Sequence, residues 1–386
     1  MKYMRKLLAP LVLHGPVRQW WILRQARRLD AAYLGELCRE RDRAAQLLPD
    51  HPVATSGAPL RRILFIGDCM WEKNELFPEL RKICNLDYLD THPALTENPF
   101  APAPEIVAKC IDEFIRSSNQ FEPDVILFYA RPQLLSDEAF ELIRQRWKCP
   151  LLGMSLDDRV EFFDYGVYNT TALAYSHWAA KFDVNLTNAR VALDWYRQRG
   201  ATARYFPPGF HFEREYETPP NKPDYAHPFS FVGSAKAERR VLVEKLLNAG
   251  VPVTLFGNGW PNSAWVDRAS CAFRNSQINL GIGFALPSER FTTTKNRDFE
   301  CPGVGACYLT TYNYELSAFY EIGKEILCYR NFEELLEIHA YYIKRPEECL
   351  RIAQAAHRRC FSEHTWENRF RTLFRELGFK LNTGTG

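Results

Sequence analysis

The chain has 386 residues, enough for two domains of ordinary size. Apolar residues make up 46% and charged residues 25%, a composition that excludes a disordered, collagenous or disulfide-scaffold chain. The 49 Lys and Arg against 47 Asp and Glu leave a formal charge of +2, which excludes a protein that as a whole binds nucleic acid by charge. No apolar run reaches the roughly 18 residues of a membrane span. The eleven cysteines are scattered, with no CxxC pair and no Cys/His set at zinc-ligand spacing. They read as free buried thiols of a reducing, cytoplasmic compartment.

Residues 1–28 stand apart. Lys2, Arg5, Lys6, Arg18, Arg24, Arg27 and Arg28 are interleaved with Leu7, Leu8, Leu11, Trp20, Trp21 and Leu23, and no acidic residue occurs. Such a segment either lies peripherally on an anionic membrane or packs on the main body or a partner chain. Pro10, His14 and Pro16 interrupt it, so it does not read as a secretory signal. Residues 29–47 have a helical pattern, so residues 1–56 are expected to form a basic helical extension. Residues 48–59 carry the breaker residues of a linker.

From Arg61 short apolar runs alternate with helical patterns. Strands are expected at 61–68, 86–90, 123–130, 149–158, 184–189 and 203–209. Helices are expected near 102–118, 136–147, 170–181 and 190–199. Alternation at this spacing implies a parallel sheet covered on both faces, with ligands beyond the carboxyl ends of its strands. That rule singles out Asp68, the loop around His92, and Asp157 with Asp158 as candidate catalytic residues. Asp68 or His92 in a cleft can accept a proton. The acidic pair can cap a helix or supply a base, and no metal is expected.

The polar, proline-rich stretch 212–228 marks a boundary between a first domain at 57–211 and a second at 222–362. Strands are then expected at 227–234, 251–259, 276–283, 305–312 and 324–330. Helices are expected at 235–250, 314–320, 332–344, 346–360 and 366–378. The fold class is therefore α/β: two doubly wound, Rossmann-like units facing a cleft, with residues 363–386 as a terminal helix.

Two stretches of the second unit carry chemistry. In FVGS, Gly233 and Ser234 precede a helix bearing Lys236, Arg239 and Arg240. Backbone N–H groups, a helix amino end and cations there suit phosphate oxygens. FGNG, with Gly257 and Asn258, is a similar turn. In TKNRDFECPGVGACYLTT, Arg297 and Glu300 share a helix face beside Lys295, and Gly303 and Gly305 form a tight loop into a strand. A carboxylate there can accept the hydroxyls of a ribose while the cations meet a diphosphate; an i,i+3 ion pair on a solvated face is the alternative.

The ordered series FVGS (231–234), TLFGNGW (254–260), INL (278–280), KNRDFECPGVGACYLT (295–310), FYEIGKEILCYRNFEELLE (319–337), YYIKRPEECLRIA (341–353) and EHTWENRF (363–370) resembles the CgeB-like, spore-maturation-type glycosyltransferases of the GT-B fold. The resemblance covers about 140 residues. It implies a nucleotide-diphosphate sugar, UDP-sugars favoured, bound by the second domain. Glu300 would lie at the ribose, Gly233, Ser234 and Arg239 at the phosphate loop, and Lys295 and Arg297 at the diphosphate. The first domain would bind the acceptor, whether glycan, lipid-linked or protein, and supply any base. The last helix would cross back onto the first domain. No cofactor is implied beyond the donor. The pattern departs where relatives of the wider group carry an earlier glutamate, since Thr292 stands eight residues before Glu300. The residues also admit a nucleotide-sugar epimerase, or a binding and assembly module on the same frame.

Overall fold

The structure is a computed structural model. It describes residues 50–51, 57–98, 101–118, 121–129, 131–163, 174–211, 213–264, 268–284 and 292–381. The basic segment 1–28 and the helix expected over 29–47 lie outside these residues. The described chain divides into two compact units. One holds the described residues up to 163 with 174–211 and 362–381; the other holds 213–361.

The first unit carries six strands: β1 (Arg62–Gly67), β2 (Asn85–Asp90), β3 (Val125–Tyr129), β4 (Leu151–Ser155), β5 (Val184–Thr187) and β6 (Ala203–Tyr205). They run in the order β2-β1-β3-β4-β5-β6 with every neighbouring pair parallel. The central strands are mostly apolar because both faces are covered; Leu151 through Ser155 are buried without alternation. Helices α1 (Glu72–Arg81), α2 (His92–Glu97), α3 (Ala103–Ser117), α4 (Asp137–Arg146), α5 (Asp158–Glu161) and α6 (Ala192–Gln198) link the strands. The segment 174–181, expected as part of a helix, forms two 3₁₀ turns instead. Its N–H groups bond three residues back, as from His177 to Ala174 and from Trp178 to Tyr175. The Asn185 side chain takes the Ala179 carbonyl. Tyr175 stacks on Phe182, and Trp178 on Phe140, an arrangement an α-helical 3.6-residue period would break.

The second unit holds β7 (His227–Val232), β8 (Thr254–Phe256), β9 (Ser276–Leu280), β10 (Tyr308–Thr311) and β11 (Leu327–Tyr329), in the order β11-β10-β9-β7-β8 and again parallel throughout. Its helices are α7 (Ala237–Asn248), α8 (Ala269–Arg274), α9 (Arg297–Gly303), α10 (Phe332–Tyr342) and α11 (Pro346–Glu363). Residues 314–318 are a 3₁₀ turn started by Asn313, whose side-chain oxygen accepts the Glu315 N–H. α12 (Trp366–Glu376) belongs to the first unit. Its Trp366, Phe370, Leu373 and Phe374 join Phe65, Leu127, Leu152 and Leu186 in one core. The described cysteines are free thiols.

In both sheets the chain runs outward from a central strand and then returns to its other side. The reversals fall between β1 and β3 and between β7 and β9, and crevices at such points are where open parallel sheets bind ligands.

Candidate functional site

In the second unit the reversal point is built around Gly233, the residue after β7. Its backbone has φ 149°. A Cβ there would collide with Arg297 Nη1 and lie 3.2 Å from Arg239 Nη1. The turn is fixed from several sides. Gly233 N–H donates to the Phe256 carbonyl at 2.8 Å, and Trp260 Nε1 donates to the Gly233 carbonyl at 2.8 Å. Ala235 N–H donates to the Asn258 carbonyl at 2.9 Å. Gly257, at φ 114°, abuts Gly233 closely enough that a Cβ would lie 2.8 Å from its carbonyl group. The sequence reading offered backbone N–H groups of this turn to a phosphate; the structure spends those of Gly233 and Ala235 inside the turn. Cations stand beside it, Arg239 as expected on the following helix and Arg297 from α9.

Arg297 Nη1 donates to the Val232 carbonyl at 2.8 Å, and its guanidinium sits 5.2 Å from the Phe231 ring centre. Arg239 Nη1 donates to the Ser234 carbonyl at 3.0 Å, with its guanidinium 5.7 Å from the same ring. Two guanidinium groups converging on one glycine repel each other, and a multiply charged anion relieves that repulsion with forked hydrogen bonds. Lys236 is exposed at the start of α7, and Asn258 is exposed on the neighbouring turn.

Arg297 opens α9, and Glu300 lies one turn further along the same helix, half-buried. Asp298, which sequence reasoning passed over, anchors this start. Its carboxylate accepts the Lys295 N–H at 2.8 Å and the Tyr308 hydroxyl at 2.9 Å from a buried position. Burial pushes its carboxyl above the usual range, while those same bonds pull it down. Gly303, expected in a loop, ends α9 instead. Pro302 is tolerated inside the helix because the Asp298 carbonyl, which a residue 302 N–H would otherwise bond, accepts the Tyr320 hydroxyl at 2.7 Å. The tight turn is at Gly305, at φ 76°, where the Gly305 and Ala306 N–H groups close back on Pro302 and Cys301.

In the first unit three strand ends meet. β1 and β2 run in register with Gly67 beside Asp90, and Gly67 is also beside Tyr129 of β3. One residue beyond β1 is Asp68, two beyond β2 is His92, and two beyond β3 is Arg131. They form a chain: His92 Nδ1 lies 2.6 Å from Asp68 Oδ1, and Arg131 Nη2 lies 3.0 Å from Asp68 Oδ2. The His92 side chain is 38% exposed, while that of Asp68 is 14% exposed. Asp90, not foreseen, holds the two loops together. Its Oδ1 accepts the N–H groups of Cys69 at 3.1 Å and His92 at 2.9 Å, and its Oδ2 pairs with Lys73. Glu72 is buried at the start of α1, and burial pushes its carboxyl up to about 7, against the pull of backbone N–H groups. The coincidence of an Asp at or just past the end of each of two neighbouring strands was the readable signal here; the partner role of Arg131 had none.

The pair at 157–158 separates. Asp157 is exposed ahead of α5, whereas Asp158 is fully buried and accepts the Tyr196 hydroxyl at 3.0 Å. Burial pushes the Asp158 carboxyl up to about 7, with Thr187 and Tyr196 hydrogen bonds opposing it. A carboxylate so enclosed holds the β4 and β5 ends together and presents no face to an acceptor. Among the described residues no group of three or more His, Cys, Asp or Glu side chains is arranged to hold a metal ion. No described helix is long and apolar enough to cross a membrane.

Two parallel sheets, each flanked by helices, make this the GT-B fold of glycosyltransferases. Sucrose-phosphate synthase from Thermosynechococcus elongatus is similar at 11% identity and a TM-score of 0.57, over 82% of this chain and 99% of that one. HepE from Anabaena, in complex with UDP and glucose, is similar at 12% identity and a TM-score of 0.53, over the same shares. A family described as glycosyl transferase-like matches residues 238–375, from α7 into α12. No curated protein sequence matches the chain.

Proposed function

We propose that the protein is a nucleotide-sugar-dependent glycosyltransferase of the CgeB-like kind, moving a sugar from a UDP-linked donor to a hydroxyl of a glycan, lipid-linked or protein acceptor. The observation that carries this reading is the convergence of Arg239 and Arg297 on Gly233 at the reversal point of the second sheet. There they grip the diphosphate with Ser234, Lys236 and Lys295, and Glu300 accepts the ribose hydroxyls. The family match, over residues 238–375, takes in Arg239, Lys295, Arg297 and Glu300 and begins after Gly233, Ser234 and Lys236. HepE, of the same fold, was solved with UDP and with UDP-glucose.

Charge developing on the departing diphosphate is met by cations fixed before the reaction, which is where a preorganised site gains most. The reading is of a metal-independent transfer. His92, oriented by Asp68, takes the acceptor proton in the first unit. Calorimetry with UDP and UDP-sugars, alongside UDP release in the presence of acceptors, tests the proposal. Binding that Arg297→Ala weakens supports it; no nucleotide binding at millimolar concentration overturns it. The protein works in the cytoplasm, and the basic, tryptophan-bearing residues 1–28 dock it on anionic membrane. Deleting them abolishes sedimentation with anionic vesicles and leaves UDP binding intact; equal sedimentation of both forms overturns the docking.

A further inference from the structure

We propose that Glu79 and His211 form a pH-sensitive latch on the segment where the chain leaves the first unit, closed while the imidazole is protonated and loosened when it is neutral. The described chain passes out of that unit after His211 and returns to it at Ser362. Just inside the unit the outgoing and returning passes are bonded to each other. Phe210 N–H donates to the His364 carbonyl at 3.1 Å, and Trp366 N–H donates to the Phe210 carbonyl at 3.1 Å. Gly209 lies so close to the returning pass that a Cβ there would meet the Trp366 nitrogen at 2.7 Å.

One pair of side chains ties this crossing to the body of the unit. His211 Nδ1 lies 2.8 Å from Oε1 of Glu79, on α1. The Glu79 side chain is 1% exposed and that of His211 is 22% exposed, so the carboxylate is enclosed while the imidazole reaches solvent. Lys82 Nζ donates to the same Oε1 at 2.8 Å, and Glu79 Oε2 is buried with no hydrogen-bond partner among the described residues. Burial pushes the Glu79 carboxyl up, but the bonds from His211 and Lys82 outweigh it and hold the group below its usual range. A buried carboxylate that loses one of its two cations is left undercompensated.

The other charged and titratable groups facing the pair come from α12 and the returning pass. Lys82 lies 3.6 Å from Glu367, which accepts Arg371 Nε at 2.7 Å. Arg369 donates to the Pro208 carbonyl at 3.4 Å and to His364 Nδ1 at 3.1 Å; a guanidinium only donates, so the His364 ring is neutral. Imidazole is the side chain whose charge changes between about pH 5 and pH 8. As pH rises through that window His211 gives its proton to water, and the charge-assisted bond to Glu79 becomes a neutral one of about half the strength. Glu79, held below its usual range, stays ionised into more acidic solution, so the latch is tightest in mild acid.

The test uses the full chain and reads amide hydrogen exchange residue by residue at two pH values, about 5 and about 8, each rate divided by its intrinsic rate at that pH. The reference is the Ile126 N–H, which donates to the Pro150 carbonyl inside the sheet of the same unit. Relative to it, protection of the Phe210 and Trp366 amides is expected to fall about three- to tenfold from the lower to the higher pH. His211→Gln, which keeps a neutral donor, is expected to show the lower protection at both pH values. His211→Arg, a permanent cation, is expected to show the higher protection at both. Equal protection of the parent chain at the two pH values overturns the proposal, and so does a parent-like fall in His211→Gln. Where the Gln variant does not fold, a parent-like fall in His211→Arg overturns it.

Discussion

At Gly233 a methyl group would meet Arg297 Nη1 on one side and Arg239 Nη1 on the other, on a backbone that L side chains rarely adopt. Gly233→Ala is therefore expected to push Arg297 off the Val232 carbonyl and weaken UDP binding about tenfold or more, read by calorimetry, without unfolding the chain. Arg297→Ala removes the charge itself. If its guanidinium meets the diphosphate, turnover falls about 100-fold, roughly 3 kcal/mol of transition-state stabilisation, measured as UDP release. Both residues stood out in the sequence by type and spacing. That Arg297 and Gly233 touch did not, because 64 positions separate them and their meeting is decided by sheet order. Asp298 was hidden for another reason. Its work is done through partners at 295 and 308, and nothing about a single carboxylate announces that.

At the scale of elements, the apolar runs of both sheets were legible because strands covered on two faces are mostly apolar, the buried polar ones such as Asn185 and Asn279 being spent on backbone carbonyls. The 3₁₀ turns at 175–181 and 314–318 were not, since each is set by side chains that divert backbone bonds away from the helical pattern. α9 was legible only at its start; its passage through Pro302 depends on Tyr320 reaching the freed Asp298 carbonyl. Tyr320→Phe is expected to lower stability by about 1–3 kcal/mol, the cost of a buried carbonyl left without a donor, measured by chemical denaturation. α12 is tied to the first unit by an aromatic run in which Trp366 lies 6.0 Å from both Trp71 and Phe206. Trp366→Ala is expected to cost about 3–5 kcal/mol, with early loss of the first unit seen by hydrogen exchange.

At the scale of the whole molecule, buried carboxyls such as Glu72 and Asp158 shape the response to pH. Glu72 and Asp158 are both pushed up to about 7 by burial. The native state keeps their protons where the unfolded chain has released them. Their contribution to stability is thus fully present below about pH 4 and is lost as pH rises through about 7. Asp158→Asn and Glu72→Gln remove that loss, so each variant gains on the parent chain in melting temperature between pH 5 and pH 8; no change in the gap rejects the assignment. By itself, the sequence determined the fold class and the place of each described strand. Those follow from composition and period, which are local. Which strand ends are neighbours was decided only in three dimensions. The register that sets Gly67 beside both Asp90 and Tyr129 turned an aspartate, a histidine and an unremarked arginine into one hydrogen-bonded chain. Packing against Tyr196 enclosed Asp158 while Asp157 stayed exposed. Proton chemistry depends on such contacts and on burial, and neither is a property of any one stretch of chain.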